Sequence, residues 1–185
     1  MHSVDASFGR SLFVLGGARS GKSRHAQALA ETAAARNGGR LVYIATAQAF
    51  DTEMDERIIR HQADRDERWQ TVDAPLELVD ALTAADGVDS VMLVDCLTLW
   101  MSNLLLADRD IAAQIDRLVD TIAVLTGRII LVSNEVGLGI VPDNALARLF
   151  RDGAGRLHQR IAAEVDSVDM VMAGLIQRWK APPRR

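Results

Sequence analysis

The stretch from Leu12 to Ser23, LFVLGGARSGKS, limits what this chain can fold into more than any other. Leu12 to Leu15 form an apolar run that reads as a short buried strand, and Gly16 opens a glycine-rich turn. Gly21-Lys22-Ser23 then begin an alanine-rich helical stretch. From Gly16 to Ser23 the spacing is G-x-x-x-x-G-K-S, that of a phosphate-binding loop. The chemistry needs each part. Glycines let backbone N–H groups point at phosphate oxygens, the helix N-terminus adds the positive end of its dipole, and Lys22 supplies a point charge. Ser23 would place its hydroxyl on Mg2+. A nucleotide-binding site is therefore expected at Gly16, Gly17, Ala18, Arg19, Ser20, Gly21, Lys22 and Ser23. The plainer alternative is a glycine-rich strand-to-helix turn with an exposed lysine.

With 185 residues, 49% of them hydrophobic, the chain can bury one sizeable core, so a single domain over 1–185 is expected. A net charge of −4 argues against a nucleic-acid-binding surface. The single cysteine, Cys96, excludes an internal disulfide framework. No apolar run is long enough to span a membrane. The first ten residues lack the basic start and apolar core of a signal peptide, and they read as a loose extension of a cytoplasmic protein. The APPRR tail reads as disordered.

Strand and helix patterns alternate along the whole chain, which favours a mostly parallel sheet with helices on both faces. The expected class is α/β, P-loop NTPase-like and RecA-like. Helix is expected from Ser23 to Asn37, stopped by Gly38-Gly39, and strand from Leu41 to Ala45. Thr52 reads as the N-cap of a helix running to about Asp66, with Asp55 in the place of a weak capping box. Trp69 to Val72 reads as a short strand, and Pro75 suits the first turn of a following helix. Ser90 to Val94 is a strand ending in Asp95. The segment CLTLWMSNLLL after it is apolar on nearly every side, so it is either buried or a subunit interface. Helix from Ile111 to Leu125, strand from Ile129 to Val132, and a long amphipathic helix from Asn144 to about Asp166 follow. Val168 to Met172 reads as the last strand.

Three further groups could carry chemistry. Asp95, at the end of an apolar strand, stands where phosphate-loop proteins keep the acid that holds Mg2+; the bland alternative is a strand-end turn residue. Arg57, His61 and Arg65 stand at i, i+4 and i+8 and would share one helix face. Two flanking guanidinium groups would keep His61 neutral and nucleophilic, and could hold a polyphosphate. From charge pattern alone, a solvated basic face explains them more readily. Asn134 and Glu135 sit at another strand's carboxyl end, where substrate contacts belong, or else in a loop that caps the next helix through Asp143. Among the other histidines, His25 reads as structural and His158 as lying on a solvated helix face. Cys96 reads as a small buried hydrophobe, and Trp100, Met101, Leu104 and Leu105 as core or interface.

Together these stretches resemble the bifunctional adenosylcobinamide kinase / adenosylcobinamide-phosphate guanylyltransferase family of cobalamin biosynthesis, from about Leu12 to Gly174. GGARSGKSRHA from Gly16, YIATAQ from Tyr43 and EMDERI from Glu53 carry the likeness. So do the Asp95 strand, SNEVGLGIVPDNALAR from Ser133 and FRDGAGRLHQRIA from Phe150. The most specific parts are NEVGxGIVP and R-I-x-x-H.

The resemblance implies two steps. ATP or GTP phosphorylates the terminal hydroxyl of adenosylcobinamide. GTP then donates GMP to that phosphate through a GMP-histidine intermediate, giving adenosylcobinamide-GDP and pyrophosphate. The histidine of that intermediate matches His61, and Lys22 with Mg2+ would stabilise developing charge. Nucleotide contacts would map onto the loop and onto Ala45, Thr46, Ala47, Gln62, Ala63, Asp64, Arg65, Asp73 and Asp95, with Ser23 and Asp95 as metal ligands. A homotrimer is also implied. The chain departs from the family pattern in the residues before Leu12, in Gln62 after the histidine, in Asp66 after Arg65, and in Asp95, often glutamate. Glu135 and Asp95 both remain open as base of the kinase step. Two rival readings are a phosphate-loop small-molecule kinase without the transferase step and a non-catalytic guanine-nucleotide switch. Against the switch, the guanine-reading Asn-Lys-x-Asp motif is absent.

Overall fold

The computed structural model describes residues 8–48 and 65–182. In chain order, the described elements are β1 (Ser11–Gly16), α1 (Lys22–Asn37), β2 (Arg40–Ala45), β3 (Trp69–Asp73), α2 (Leu78–Ala85), β4 (Ser90–Asp95), α3 (Leu97–Leu106), α4 (Ile111–Val124), β5 (Arg128–Asn134), α5 (Ala145–Glu164), β6 (Ser167–Met172) and β7 (Leu175–Lys180). The strands form one sheet in the order β3-β2-β4-β5-β1-β6-β7. All neighbours run parallel except β7, which is antiparallel to β6. Strand β5 separates the phosphate-loop strand β1 from the acid-bearing strand β4.

The central strands are apolar along their length because helices cover both faces. Leu12 and Val14 of β1 pack with Leu41, Val91 and Ile130 against Ala26, Leu29, Ala30 and Ala33 of α1. The alternate residues, Phe13 and Leu15, join Val42, Met92 and Ile129 in a larger core under Leu82, Trp100, Leu118 and Leu157 of α2 to α5. The two-residue period of the strand thus divides the core in two. Among the described residues, no helix is long and apolar enough to cross a membrane.

Several expectations need correction. The chain before Leu12 is not all loose: Phe8 is fully buried on the α1 side, and Arg10 Nη1 donates to the Leu125 carbonyl at 2.5 Å. Pro75 precedes its helix by a turn, since α2 begins at Leu78 after Glu77. Asn144, not Asp143, caps α5, its side chain accepting from the Ala147 N–H. The expected helix from Thr52 lies almost wholly outside the described residues, and Arg65 and Asp66, at its expected end, are not helical. Of the two readings of the over-apolar helix α3, burial is the one seen within this chain, with Leu97, Trp100, Met101 and Leu104 in the core. Strand β7 was not expected at all. It enters through a tight turn in which Ala173 and Gly174 both have positive φ, 52° and 77°.

Candidate active site

Because β1 to β6 run parallel, their carboxyl ends share one edge of the sheet, where open α/β folds bind ligands. Gly16 ends β1, Ala45 β2, Asp73 β3, Asp95 β4 and Asn134 β5. Ala45 is paired with both Asp73 and Asp95, and Gly16 with Asn134. The residues predicted from separate motifs therefore converge.

The loop from Gly16 to Lys22 has the backbone that phosphate binding requires. Arg19 and Gly21 are left-handed, with φ of 55° and 96°, and Gly21 precedes the first turn of α1. The two leading glycines differ. A Cβ on Gly16 would lie 2.4 Å from the Val171 carbonyl oxygen, whereas one on Gly17 would meet nothing within 4 Å. Lys22 is held along the loop, its Nζ donating to the Gly17 carbonyl at 3.3 Å. Gly174, in the β6–β7 turn, donates its N–H to the Ser20 carbonyl at 2.9 Å, so the unforeseen hairpin braces the loop from behind. Ser20 Oγ is the one buried side-chain polar atom without a hydrogen-bond partner among the described residues. Such an atom costs about 1–3 kcal/mol unless something polar reaches it.

A buried polar network ties the other strand ends together. Thr46 Oγ1 accepts from the Cys96 N–H at 2.8 Å and donates to the Cys96 carbonyl at 2.7 Å. Asn103 of α3 donates from Nδ2 to the carbonyls of Thr46 and Pro75, at 2.8 and 3.0 Å. Asn134 Nδ2 donates to Thr98 Oγ1 at 2.9 Å. The polar groups of Thr46 and Asn134 are thus engaged inside the fold, while Ala45, Ala47 and Asp95 are half-buried at the edge. Burial, reinforced by Asp95, pushes the Cys96 thiol up to about 11, so it stays neutral at physiological pH.

Arg65 stacks its guanidinium on the Tyr43 ring, 3.5 Å from the centroid. A cation is thereby fixed over the middle of β2, and burial, aided by Asp95, raises the Tyr43 hydroxyl well above its ordinary range. His61, Gln62, Ala63 and Asp64 lie outside the described residues, as does Arg57. Asp73 is exposed at the end of β3.

Two buried or half-buried histidines pack on opposite faces of the sheet. His25, one turn into α1, hydrogen-bonds Asp169 on β6 at 2.8 Å, and Asp169 also accepts from Arg178 on β7. These bonds hold the buried Asp169 carboxyl below its usual range against the opposing effect of desolvation. His25 is structural, as expected. His158 is not on a solvated face: it is buried, with Nε2 2.8 Å from Ser133 Oγ and its ring 5.6 Å from that of Phe13. Burial lowers its pKa.

Residues 12–178 match the family model described as cobinamide kinase / cobinamide phosphate guanyltransferase. The chain belongs to this family. Members similar to it include the bifunctional adenosylcobalamin biosynthesis protein CobP of Pseudomonas aeruginosa, 48% identical over 92% of this chain and 97% of the relative. The CobU proteins of Salmonella typhimurium and Escherichia coli are 41% and 39% identical, each over 89% of this chain and 96% of the relative. The cobinamide kinase / guanyltransferase match thus takes in every strand from β1 through the start of β7, together with the buried pairs that shape the strand ends. Sequence reasoning missed Tyr43, Thr98 and Asn103. Tyr43 stood within the YIATAQ motif, but neither Thr98 nor Asn103 carried any signal apart from being polar in an apolar helix.

Proposed function

We propose that this chain phosphorylates adenosylcobinamide with ATP or GTP and then transfers GMP from GTP to the phosphate, by way of a GMP adduct on His61. The observation that carries the reading is the phosphate loop braced at the carboxyl edge of a sheet whose whole extent matches the cobinamide kinase / guanyltransferase family. The imidazole of His61 attacks the α-phosphorus of GTP, the bond to the bridging oxygen breaks, and pyrophosphate leaves. An oxygen of adenosylcobinamide phosphate then displaces the imidazole. Lys22 and the loop N–H groups receive the charge that develops on the phosphates. Arg65, four residues on from the histidine in sequence, is fixed on Tyr43 of β2.

The donor set at this edge fits magnesium. Ser23 offers a hydroxyl and Asp95 a carboxylate, both hard oxygen ligands, while the one nearby soft ligand, Cys96, is neutral and bonded to Thr98. A bound Mg2+ would neutralise charge on the triphosphate. The resemblance further implies a cytoplasmic homotrimer, which sedimentation would test.

The test is mass spectrometry after incubation with GTP and Mg2+. An acid-labile GMP adduct should form on the wild-type protein and be absent from His61→Asn, which should still phosphorylate adenosylcobinamide. An adduct that survives in His61→Asn, or a wild-type protein never labelled, would refute the proposal.

A further inference from the structure

The segment after β5 is unusual for a loop. Leu138, Ile140 and Val141 are 80%, 97% and 61% exposed, and Leu146 and Leu149 add two exposed apolar side chains on the first turns of α5. From Val136 to Ala147, Asp143 is the sole charged residue. Both ends of the segment are fastened. At its start, the Glu135 N–H donates to the Gly16 carbonyl at 3.0 Å, the Glu135 carboxylate accepts from the Gly137 N–H, and Val136 packs on the core. At its far end, Arg148 Nη1 donates to the carbonyls of Pro142 and Asp143 at 3.0 and 2.7 Å. The apolar tip is therefore held out into solvent at a cost, and an exposed apolar patch of this kind marks a binding surface.

We propose that this segment seats the corrin ring of the substrate. The inference rests on the function proposed above and deepens it. A corrin is a broad, largely apolar macrocycle edged by neutral amides, and cobinamide reacts at the end of an arm. The ring must rest outside the nucleotide cleft yet within the arm's reach of the phosphates. Gly16 and Asn134 are paired across β1 and β5, so the segment leaves the sheet directly beside the phosphate loop. Its one charged residue, Asp143, is acidic, which suits an apolar macrocycle whose cobalt centre carries a single positive charge. A second exposed apolar strip, Leu175, Ile176 and Trp179 on β7, starts at the same edge beside Gly174, but it is interleaved with Arg178 and Lys180 and leads down the sheet away from the phosphate loop.

The double variant Leu138→Ser/Ile140→Ser tests the assignment, with Ile140→Leu as the conservative control. Adenosylcobinamide binding, read by equilibrium dialysis from its visible absorbance, requires no turnover. It should weaken about tenfold or more in the double variant and stay near wild type in the control. Formation of the GMP adduct from GTP alone should be unchanged, while the KM for adenosylcobinamide phosphate rises with the loss of binding. Undiminished corrinoid binding would overturn the proposal. So would a parallel loss of adduct formation, which would make the segment part of the nucleotide site, or dissociation of an oligomer on sedimentation, which would make a second copy its occupant. A wild-type protein that binds the corrinoid but forms no adduct would refute the transfer reading and leave this seat standing.

Discussion

Gly16 and Gly17 look equivalent in the motif, yet the structure separates them sharply. Replacing Gly16 by alanine puts a methyl group 2.4 Å from the Val171 carbonyl oxygen and 2.7 Å from Ser20 Oγ. The serine hydroxyl could rotate away, but the carbonyl belongs to β6, which is laddered to β1 from Leu12 to Gly16. Relief requires the backbone to move by about 1 Å, and overpacking of this kind costs roughly 1–3 kcal/mol, with rigid neighbours at the upper end. For a domain of this size, that corresponds to a fall in Tm of roughly 6–12 °C. The movement would also displace loop N–H groups from the phosphate, each charge-assisted bond being worth about 1.5–3 kcal/mol, so GTP affinity should fall about ten- to a hundredfold. Alanine at Gly17, with open space around it, should leave Tm within about 2 °C and GTP affinity within about threefold. Calorimetric unfolding and titration with GTP and Mg2+ measure both quantities. Wild-type behaviour of Gly16→Ala, or equal damage from Gly17→Ala, would refute the steric argument.

Two further outcomes follow from α5. The depressed pKa of His158 means that the unfolded chain takes up a proton near pH 6.5 while the folded chain does not, so stability is full above that pH and declines as pH falls through the window below it. Tm measured from pH 7.5 to 5 should therefore drop more steeply for wild type than for His158→Gln, and parallel curves would contradict the buried neutral imidazole. Gly155→Ala should stabilise the helix by about 0.5–1 kcal/mol in denaturant unfolding, since a methyl there meets nothing within 4 Å. Gly153→Ala should lose that gain, because its methyl would press on Met101 Sδ at 3.1 Å; an equal gain at both positions would deny the close packing of α5 on α3.

The phosphate loop and the strand ending at Asp95 were legible because each depends on neighbours in sequence, and the shared edge of the strand ends because it follows from one topological rule; Asp73 was named through the family resemblance alone. A strand covered on both faces must be apolar throughout, and parallel strands must bring their carboxyl ends to one edge. What stayed hidden depends on partners far along the chain. His158 lies between Leu157 and Gln159, and amphipathic patterning assigns a polar residue there to solvent. It is buried because Ser133, 25 residues away, offers a hydroxyl at 2.8 Å. Thr46 is polar at a strand end, and its hydroxyl is buried because the backbone of Cys96, 50 residues on, bonds it. Strand β7 shows the same dependence. LIQRWK is too polar for a buried strand, and it pairs as a sheet edge with β6, where Arg178 reaches the buried carboxylate of Asp169. That carboxylate also holds His25, one turn beyond Lys22, so the residue that pairs with the last strand also ties down the helix that begins at Lys22. The hairpin returns the contact through the Gly174 N–H on the Ser20 carbonyl. The local motif specifies a loop able to hold phosphate, and these distant polar pairs hold that loop in one shape.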